Sequence, residues 1–256
     1  MYKIITIFCI VGFCAFQGQI LGNPPEQGRV DHSIFNNLLQ QHVRNGLVDY
    51  ESWSANSAVV FQQYLSILHT TDPSKLASDN ERLAFWINAY NAFTIEGVLK
   101  RYPLETIRPL RFGLVPDMRF WDEEAYTVNN KTITLNAIEH SILRKEFKEP
   151  RIHFAIVCAS IGCPLLRSEA FFGDKVRDQL EEAARQFMRN PDKVMFERKS
   201  STLHLSAIFN WFGGDFETDD RTVVDFVARY LPDINNINRK KLDIEYLDYD
   251  WNLNKQ

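Results

Sequence analysis

The spacing of apolar side chains over the first hundred residues predicts helices. A helical repeat of apolar positions begins after Asp31, which can cap it, and ends at Asn45-Gly46. A second helix is expected over about 53–68. Residues 80–100 are apolar on almost every side, which predicts a buried helix that Tyr102-Pro103 terminates.

Shorter elements are expected after residue 120. Ala125–Val128 and Lys131–Leu135 flank Asn129-Asn130 and predict a hairpin, because Asn tolerates the positive φ of a tight turn. A short helix over Asn136–Lys145 and a central strand over residues 152–157, IHFAIV, follow. A helix is then expected at 173–188 and a pair of short strands at 195–196 and 202–205. Another helix is expected at 220–230 and a closing strand at 242–247. The pattern predicts one α+β domain, helix-rich in its first half, with a mixed or antiparallel sheet in its second.

The first 22 residues are expected to lie outside this domain. Lys3 precedes an unbroken apolar run from Ile4 to Phe16, which is short for a membrane-spanning helix of about 20 residues. A run of this kind is typical of a signal peptide, and a buried N-terminal helix or strand is the alternative. We therefore expect a signal peptide at 1–22, a single domain at 23–256, and a secreted or periplasmic protein. No other apolar run reaches 18 residues, so no integral membrane segment is expected in the mature chain.

Composition and charge narrow the function classes. The 256 residues are 45% hydrophobic and 24% charged, which excludes general disorder. Lys and Arg number 29 against 33 Asp and Glu, and this acidic balance argues against a nucleic-acid partner. Only Cys158 and Cys163 lie outside residues 1–22, and with scattered histidines they do not suggest a zinc site. No phosphate-binding or dinucleotide motif occurs, so neither metal nor cofactor is expected.

The loop CASIGCP, residues 158–164, is the most informative stretch. Its small residues let a ligand approach the backbone and leave amides free for an oxyanion, which makes Ser160 and Gly162 candidate substrate-binding residues. Cys158 there would be a partly exposed nucleophile. The alternatives are a Cys158–Cys163 disulfide, which an oxidising compartment favours, and an inert buried thiol.

A thiol nucleophile needs a base, and two histidines are close in sequence. In an extended strand His153 would lie about 16 Å from Cys158 and face the other way, which favours a structural or substrate-contacting role. His140, on the preceding helix, is the better candidate base, and a partly exposed helix histidine is the alternative. Its neighbour Glu139 would point about 100° away on an α-helix, whereas Asn136 shares its face.

Two amides interrupt the apolar helix. Asn88 and Asn91 lie three apart on one face, and an unsatisfied buried amide costs about 1–3 kcal/mol, so both must be hydrogen-bonded. They either hold a neighbouring backbone loop, or Asn88 orients a histidine while Asn91 and the nearby Trp86 contact substrate. A weaker cluster, explained more simply by aromatic packing, comprises Ser206, Trp211 and Asp215.

Four motifs in this order, LAFWINAYNAFT, LNAIEHSILR, PRIHFAIVCASIGCP and LSAIFNWFGGDF, resemble the domain of unknown function 547 family over roughly residues 75–220. The resemblance implies an exported bacterial-type member, at best distantly like cysteine proteases and transglutaminases. The family pattern maps onto Trp86, Asn88, Tyr90, Asn91, Glu139, His140, His153, Phe154, Cys158, Ser160 and Pro164. Plant-like members often carry Ser at the position of Cys163, which implies that a disulfide is not the family's reason for Cys158.

The function expected from the sequence is an exported cysteine-dependent hydrolase or acyl transferase. Cys158 would attack a carbonyl and His140 would be the base. Asn88 or Asn91, or Glu139 if the helix allows, would orient the imidazole. The substrate would be a small molecule or a peptide. A ligand-binding module without activity, and a thiol redox protein using Cys158 and Cys163, are the alternatives.

Overall fold

The computed structural model describes residues 28–108, 111–112, 115–116, 119–122 and 125–256. The predicted signal peptide at 1–22 lies outside the described residues. The fold is α+β, as the sequence predicts, with long helices early in the chain and a three-stranded sheet late in it. Over the described residues, no helix combines the length and the apolar character needed to cross a bilayer.

Four helices build the first half of the described chain. They are α1 (Ser33–His42), α2 (Tyr50–Asn56), α3 (Ala58–Thr70) and α4 (Asp79–Leu99). The single helix expected over 53–68 is two helices, because the chain breaks at Ser57. Between α1 and α2, strands β1 (Val43–Arg44) and β2 (Leu47–Val48) pair around Asn45 and Gly46, both at positive φ.

Helix α4 lies at the centre of the molecule. Ser78 caps it, since its hydroxyl accepts a hydrogen bond from the Glu81 amide at 3.2 Å. Side chains on every side of α4 are buried, as its unbroken apolar sequence predicts. A helix enclosed in this way can present polar groups only to other parts of the protein interior.

Short elements follow α4: β3 (Arg111–Phe112), β4 (Val115–Pro116), α5 (Arg119–Asp122), β5 (Tyr126–Val128) and β6 (Lys131–Ile133). The predicted hairpin is confirmed, with Asn129 and Asn130 at φ 50° and 57° between β5 and β6. The next helix begins as α6 (Leu135–Ala137), widens to a π-helical turn over Ile138–Leu143, and ends as α7 (Arg144–Phe147).

The predicted central strand at 152–157 is wrong. Residues Pro150–Phe154 form a 3₁₀-helix, and within the described parts of the chain no strand pairs with residues 155–157. The apolar, β-branched residues are buried as expected, but the side-chain amide of Asn91, rather than a neighbouring strand, bonds the backbone of Ala155 and Val157. Because the segment is not extended, the separation of about 16 Å expected between His153 and Cys158 does not apply.

The second half contains α8 (Val176–Arg189) and a mixed sheet. Strand β8 (Thr202–Ser206) is central, with β7 (Val194–Glu197) antiparallel on one side and β9 (Asp243–Leu247) parallel on the other. Three α-helices lie between β8 and β9: α9 (Ala207–Trp211), α10 (Gly213–Phe216) and α11 (Val223–Ala228). Two 3₁₀-helices, Pro232–Ile234 and Arg239–Lys241, follow them.

Buried apolar side chains form two clusters. The first surrounds α4 and extends to Cys163, and the second lies between α8, the sheet and α11. Residues 248–256, here called the C-terminal segment, bond with the loop at 158–164 and with the backbone near Glu105. Tyr249, in that segment, packs against both clusters.

Candidate functional site

A cavity of about 240 Å³, here called the central pocket, opens beside both clusters. Its walls are mainly aromatic, from Tyr90, Trp121, Trp211, Phe212, Tyr249 and Trp251. Its reactive and polar groups come from Asn136, Glu139, His140, His153, Cys158 and Cys163. Four of the predicted site residues, Glu139, His140, His153 and Cys158, therefore line one cavity.

Asn88 and Asn91 do not reach the central pocket. Asn88 donates to the Phe171 carbonyl at 2.7 Å and accepts from the Phe171 amide at 2.9 Å. Asn91 donates to the Ala155 carbonyl and accepts from the Val157 amide, both at 2.9 Å. Both amides satisfy buried backbone that has no ladder partner, so Asn88 does not orient a histidine and Asn91 does not face the cavity.

Trp86 also lies elsewhere. Its ring packs edge-on against Phe85, with centroids 5.2 Å apart, and it lines a separate surface cavity beside Arg82 and Glu146. Trp86 is therefore not among the residues that line the central pocket.

Two of the loop amides expected to bind an oxyanion, those of Ile161 and Gly162, are already hydrogen-bonded. The Ile161 amide donates to the Asn252 carbonyl at 2.9 Å and the Gly162 amide to the Asp250 carbonyl at 2.7 Å. On the other side, the Lys193 ammonium donates to the carbonyls of Ile161 and Gly162 at 2.7 and 2.9 Å. The C-terminal segment has taken these donors, so Gly162 serves its close approach rather than that of a ligand.

Cys158 and Cys163 form a disulfide in the structure, with Cα atoms 6.4 Å apart. This is one of the alternatives that the sequence left open. Cys163 is buried, whereas Cys158 is half-buried against the central pocket. Both cysteines line the central pocket, and Cys158 is the more exposed of the two.

His153 is held by a residue that the sequence ranked low. Its Nε2 lies 2.7 Å from Oδ2 of Asp215, and its ring stacks on Phe212 at 4.3 Å. Burial would raise the pKa of Asp215, but hydrogen bonds from His153 and Arg144 outweigh it and hold that pKa well below its ordinary value. A carboxylate only accepts, so Nε2 carries the hydrogen and Nδ1 is the acceptor of the neutral ring. Nδ1 has no hydrogen-bond partner among the described residues.

In His140 the acceptor nitrogen, rather than the donor, is the one already hydrogen-bonded. Its Nδ1 lies 2.8 Å from the guanidinium of Arg144, which only donates, so the neutral ring carries its hydrogen on Nε2. Arg144 is fixed in turn by two bonds to Asp215, at 2.5 and 2.9 Å. The lone pair that a base would need is therefore already engaged, and His140 offers a donor. The structure thus gives His140 an occupied acceptor nitrogen, which does not favour the predicted role of base.

Glu139 does not orient His140. Its carboxylate accepts from the Tyr90 hydroxyl at 3.2 Å. Both Glu139 and His140 line the cavity from the π-helical turn Ile138–Leu143, although adjacent residues of an α-helix diverge by about 100°. Nothing in the local sequence marked this widening.

Sequence reasoning also missed Tyr249 and Trp251. They reach the cavity from the C-terminal segment, and the Tyr249 hydroxyl lies 3.3 Å from the Cys158 sulfur. Neither belongs to the motifs, so only the fold brings them to the site. Within the part of the chain that the structure describes, no group of three His, Cys, Asp or Glu residues is arranged to hold a metal ion.

Fold and site together define a helix-rich α+β protein with a cysteine and two oriented histidines in an aromatic pocket. Residues 73–188 match the family described as Protein of unknown function, DUF547, which supports the resemblance that the motifs indicate. No curated protein and no solved structure matches the chain. The matched part includes Glu139, His140, His153 and Cys158, whereas Asp215 and Tyr249 lie beyond it.

Proposed function

We propose that the chain is a cysteine-dependent hydrolase or acyl transferase in which reduced Cys158 is the nucleophile and His153 the general base. The observation that carries the proposal is that Cys158 lines the same cavity as a histidine held by an aspartate. A thiol, an imidazole with a free acceptor nitrogen and a carboxylate behind it are the parts that acyl transfer through a thioester requires.

In the proposed reaction the Cys158 thiol passes its proton to Nδ1 of His153, and the sulfur bonds the substrate carbonyl carbon. The carbonyl electron pair moves to oxygen and then returns, expelling the leaving group, which takes the proton from His153. Water or another acceptor then cleaves the thioester and restores the thiol. Asp215 keeps the ring in the required tautomer and stabilises the imidazolium.

The developing oxyanion needs hydrogen-bond donors, and the amides of Ile161 and Gly162 are already bonded to the C-terminal segment. We assign this role to the Nε2–H of His140, because Arg144 fixes the hydrogen on that nitrogen. A donor whose tautomer is set before the reaction needs no reorganisation when charge develops. In this proposal His140 keeps a place in the chemistry, with a different task.

The walls of the pocket indicate the substrate class. Aromatic and aliphatic side chains dominate, Glu139 is the carboxylate among the lining residues, and no lysine or arginine lines the cavity among the described residues. About 240 Å³ is below the roughly 300–1,000 Å³ that surrounds a drug-sized ligand. We therefore propose an uncharged or cationic ester, thioester or amide, of which the pocket takes one compact apolar group.

A burst experiment tests the proposal. Reduced protein mixed with p-nitrophenyl phenylacetate should release up to one equivalent of nitrophenolate rapidly and carry the acyl group on the Cys158 peptide in mass spectrometry. Cys158→Ser should abolish the burst, and His153→Gln should slow it by about 10²-fold or more. His204→Gln is the matched control, because His204 lies on β8 and does not line the central pocket. A burst that survives Cys158→Ser, or an acyl group on Cys163, would contradict the assignment.

A second candidate, thiol redox exchange, rests on the surroundings of Cys163. Its sulfur accepts hydrogen bonds from the Cys158 amide and the Tyr249 hydroxyl at 3.0 and 3.1 Å, and the Ser160 hydroxyl lies 3.4 Å away. Such donors would stabilise the Cys163 thiolate as a leaving group when an external thiolate attacks the Cys158 sulfur, breaking the disulfide and forming a mixed disulfide.

Thiol counting in glutathione buffers separates the two candidates. Redox exchange predicts a glutathione adduct on Cys158 in Cys163→Ser and no ester burst. The hydrolase predicts a burst from the reduced protein whether or not Cys163 is present. Ligand binding that survives Cys158→Ser, with neither chemistry, would support the binding module instead.

A further inference from the structure

We infer that Tyr249 is a further residue of the reactive site, whose hydroxyl donates a hydrogen bond to the Cys158 sulfur and so favours its thiolate. The inference rests on the proposed function, since it assigns a role toward the same nucleophile. It extends the site beyond residues 73–188, because Tyr249 comes from the C-terminal segment.

The hydroxyl of Tyr249 lies among three partners. It is 3.3 Å from the Cys158 sulfur, 3.1 Å from the Cys163 sulfur and 3.0 Å from the Ser160 hydroxyl. Ser160 donates to the Tyr249 oxygen, so the single phenolic hydrogen of Tyr249 is directed to sulfur. In the disulfide it goes to Cys163, the nearer of the two sulfurs. Cys158 is the other sulfur within reach, and our inference is that it takes this hydrogen bond once the disulfide is opened. The arrangement is a short relay from Ser160 through Tyr249 to the cysteines.

The donor is held in place from several sides. The Tyr249 ring packs against Trp211 and Trp251, with centroids 4.7 and 4.6 Å away. Within the same C-terminal segment, the carbonyls of Asp250 and Asn252 accept hydrogen bonds from the amides of Gly162 and Ile161. The hydroxyl and the sulfur are thus carried by two backbone segments that are bonded to each other, which fixes their separation.

The Tyr249 hydroxyl also keeps its proton over the pH range in which a cysteine thiolate forms. Burial raises the pKa of Tyr249 well above its ordinary value, against a smaller lowering effect of the Ser160 hydrogen bond. A phenol that keeps its proton is a donor to sulfur at any pH at which a thiolate forms. Ser160 is the other hydroxyl nearby, but it is 3.5 Å from the Cys158 sulfur and its hydrogen is directed to Tyr249.

The test is the pH profile of Cys158 alkylation. The full chain carrying Cys163→Ser, which removes the disulfide, is treated with iodoacetamide, and the rate is read at the Cys158 peptide by mass spectrometry. Adding Tyr249→Phe keeps the ring but removes the donor, so the profile should move up by about one pH unit and the rate at pH 7 should fall about tenfold. Tyr246→Phe is the matched control, because Tyr246 is an exposed tyrosine of β9.

A second substitution covers the case in which Tyr249→Phe disturbs folding, which thermal unfolding would reveal. Ser160→Ala leaves the Tyr249 ring intact and weakens the relay, so it should shift the profile in the same direction by a smaller amount. Profiles that neither Tyr249→Phe nor Ser160→Ala moves would overturn the inference.

The proposed function is tested in parallel by His153→Gln. If His153→Gln slows alkylation near neutral pH and Tyr249→Phe does not, the hydrolase proposal stands and the role of Tyr249 falls. If the reverse holds, Tyr249 polarises the thiolate and another group is the base. An unshifted, ordinary thiol profile in the parent protein overturns both.

Discussion

Removing the side-chain amide of Asn91 separates the two roles that the sequence allowed for it. In the structure this amide is 3% exposed and bonds the carbonyl of Ala155 and the amide of Val157, immediately before Cys158. Asn91→Ala deletes both bonds and leaves no water-accessible replacement for either backbone group. We therefore expect Asn91→Ala to lower the stability of the fold, and any loss of activity to follow from that lower stability.

The size of the loss follows from the two groups left unsatisfied. Each buried backbone donor or acceptor without a partner costs about 1–3 kcal/mol, so Asn91→Ala should lower the free energy of unfolding by about 4 kcal/mol. For a chain of this size, 1 kcal/mol moves the melting temperature by about 2–4 °C, which gives a fall of about 8–16 °C.

Urea and thermal unfolding of three variants form the assay. Asn88→Ala should be destabilised similarly, because it deletes the two equivalent bonds to Phe171, away from Cys158. Asn91→Asp should also be destabilised, since a carboxylate can accept from Val157 but cannot donate to Ala155. An Asn91→Ala protein as stable as wild type, but without the ester burst, would refute the reasoning and return Asn91 to the substrate site.

Two further predictions concern stability. His32 is buried, which lowers its pKa to about 4, below the ordinary value of about 6.5, so protonation favours the unfolded chain as pH falls between these values. The wild type should lose about 2 kcal/mol more unfolding free energy from pH 7 to 4.5 than His32→Phe, and equal losses in urea titrations would count against this. A Cβ on Gly162 would lie 2.7 Å from the Tyr249 ring, so Gly162→Ala should cost about 1–3 kcal/mol and shift Cys158 alkylation as Tyr249→Phe does. Gly214→Ala, with no atom within 4 Å of the added carbon, should do neither.

Local chemistry made part of the fold predictable. The hairpin at Asn129-Asn130 follows from two residues that tolerate positive φ, and α4 follows from an apolar run bounded by a cap and a proline. The segment at 152–157 could not be predicted in this way. Its apolar residues fit buried backbone of any conformation. They form a strand only if another strand is available to pair with them. Here the side chain of Asn91, distant in sequence, bonds the backbone instead.

The candidate site was predictable in its residues but not in their tasks. Cys158, His140, His153 and Glu139 all line the pocket. The hydrogen-bond state of the two histidines could not be predicted, because it depends on Arg144 and Asp215, and Asp215 lies 62 residues after His153. Hydrogen-bond partners that far apart in sequence are set by tertiary structure, which spacing alone does not encode.

The C-terminal segment imposes an order on the maturation of the site during synthesis. Tyr249 follows Cys158 by 91 residues, which at about 5–20 residues per second is a delay of roughly 5–20 seconds. During that interval the amides of Ile161 and Gly162 lack their acceptors, and neither cysteine has its phenolic partner. The thiol loop of a nascent chain thus lacks the bonds that hold it in the folded protein, and the aromatic wall of the central pocket is complete only after Tyr249 and Trp251 have been added.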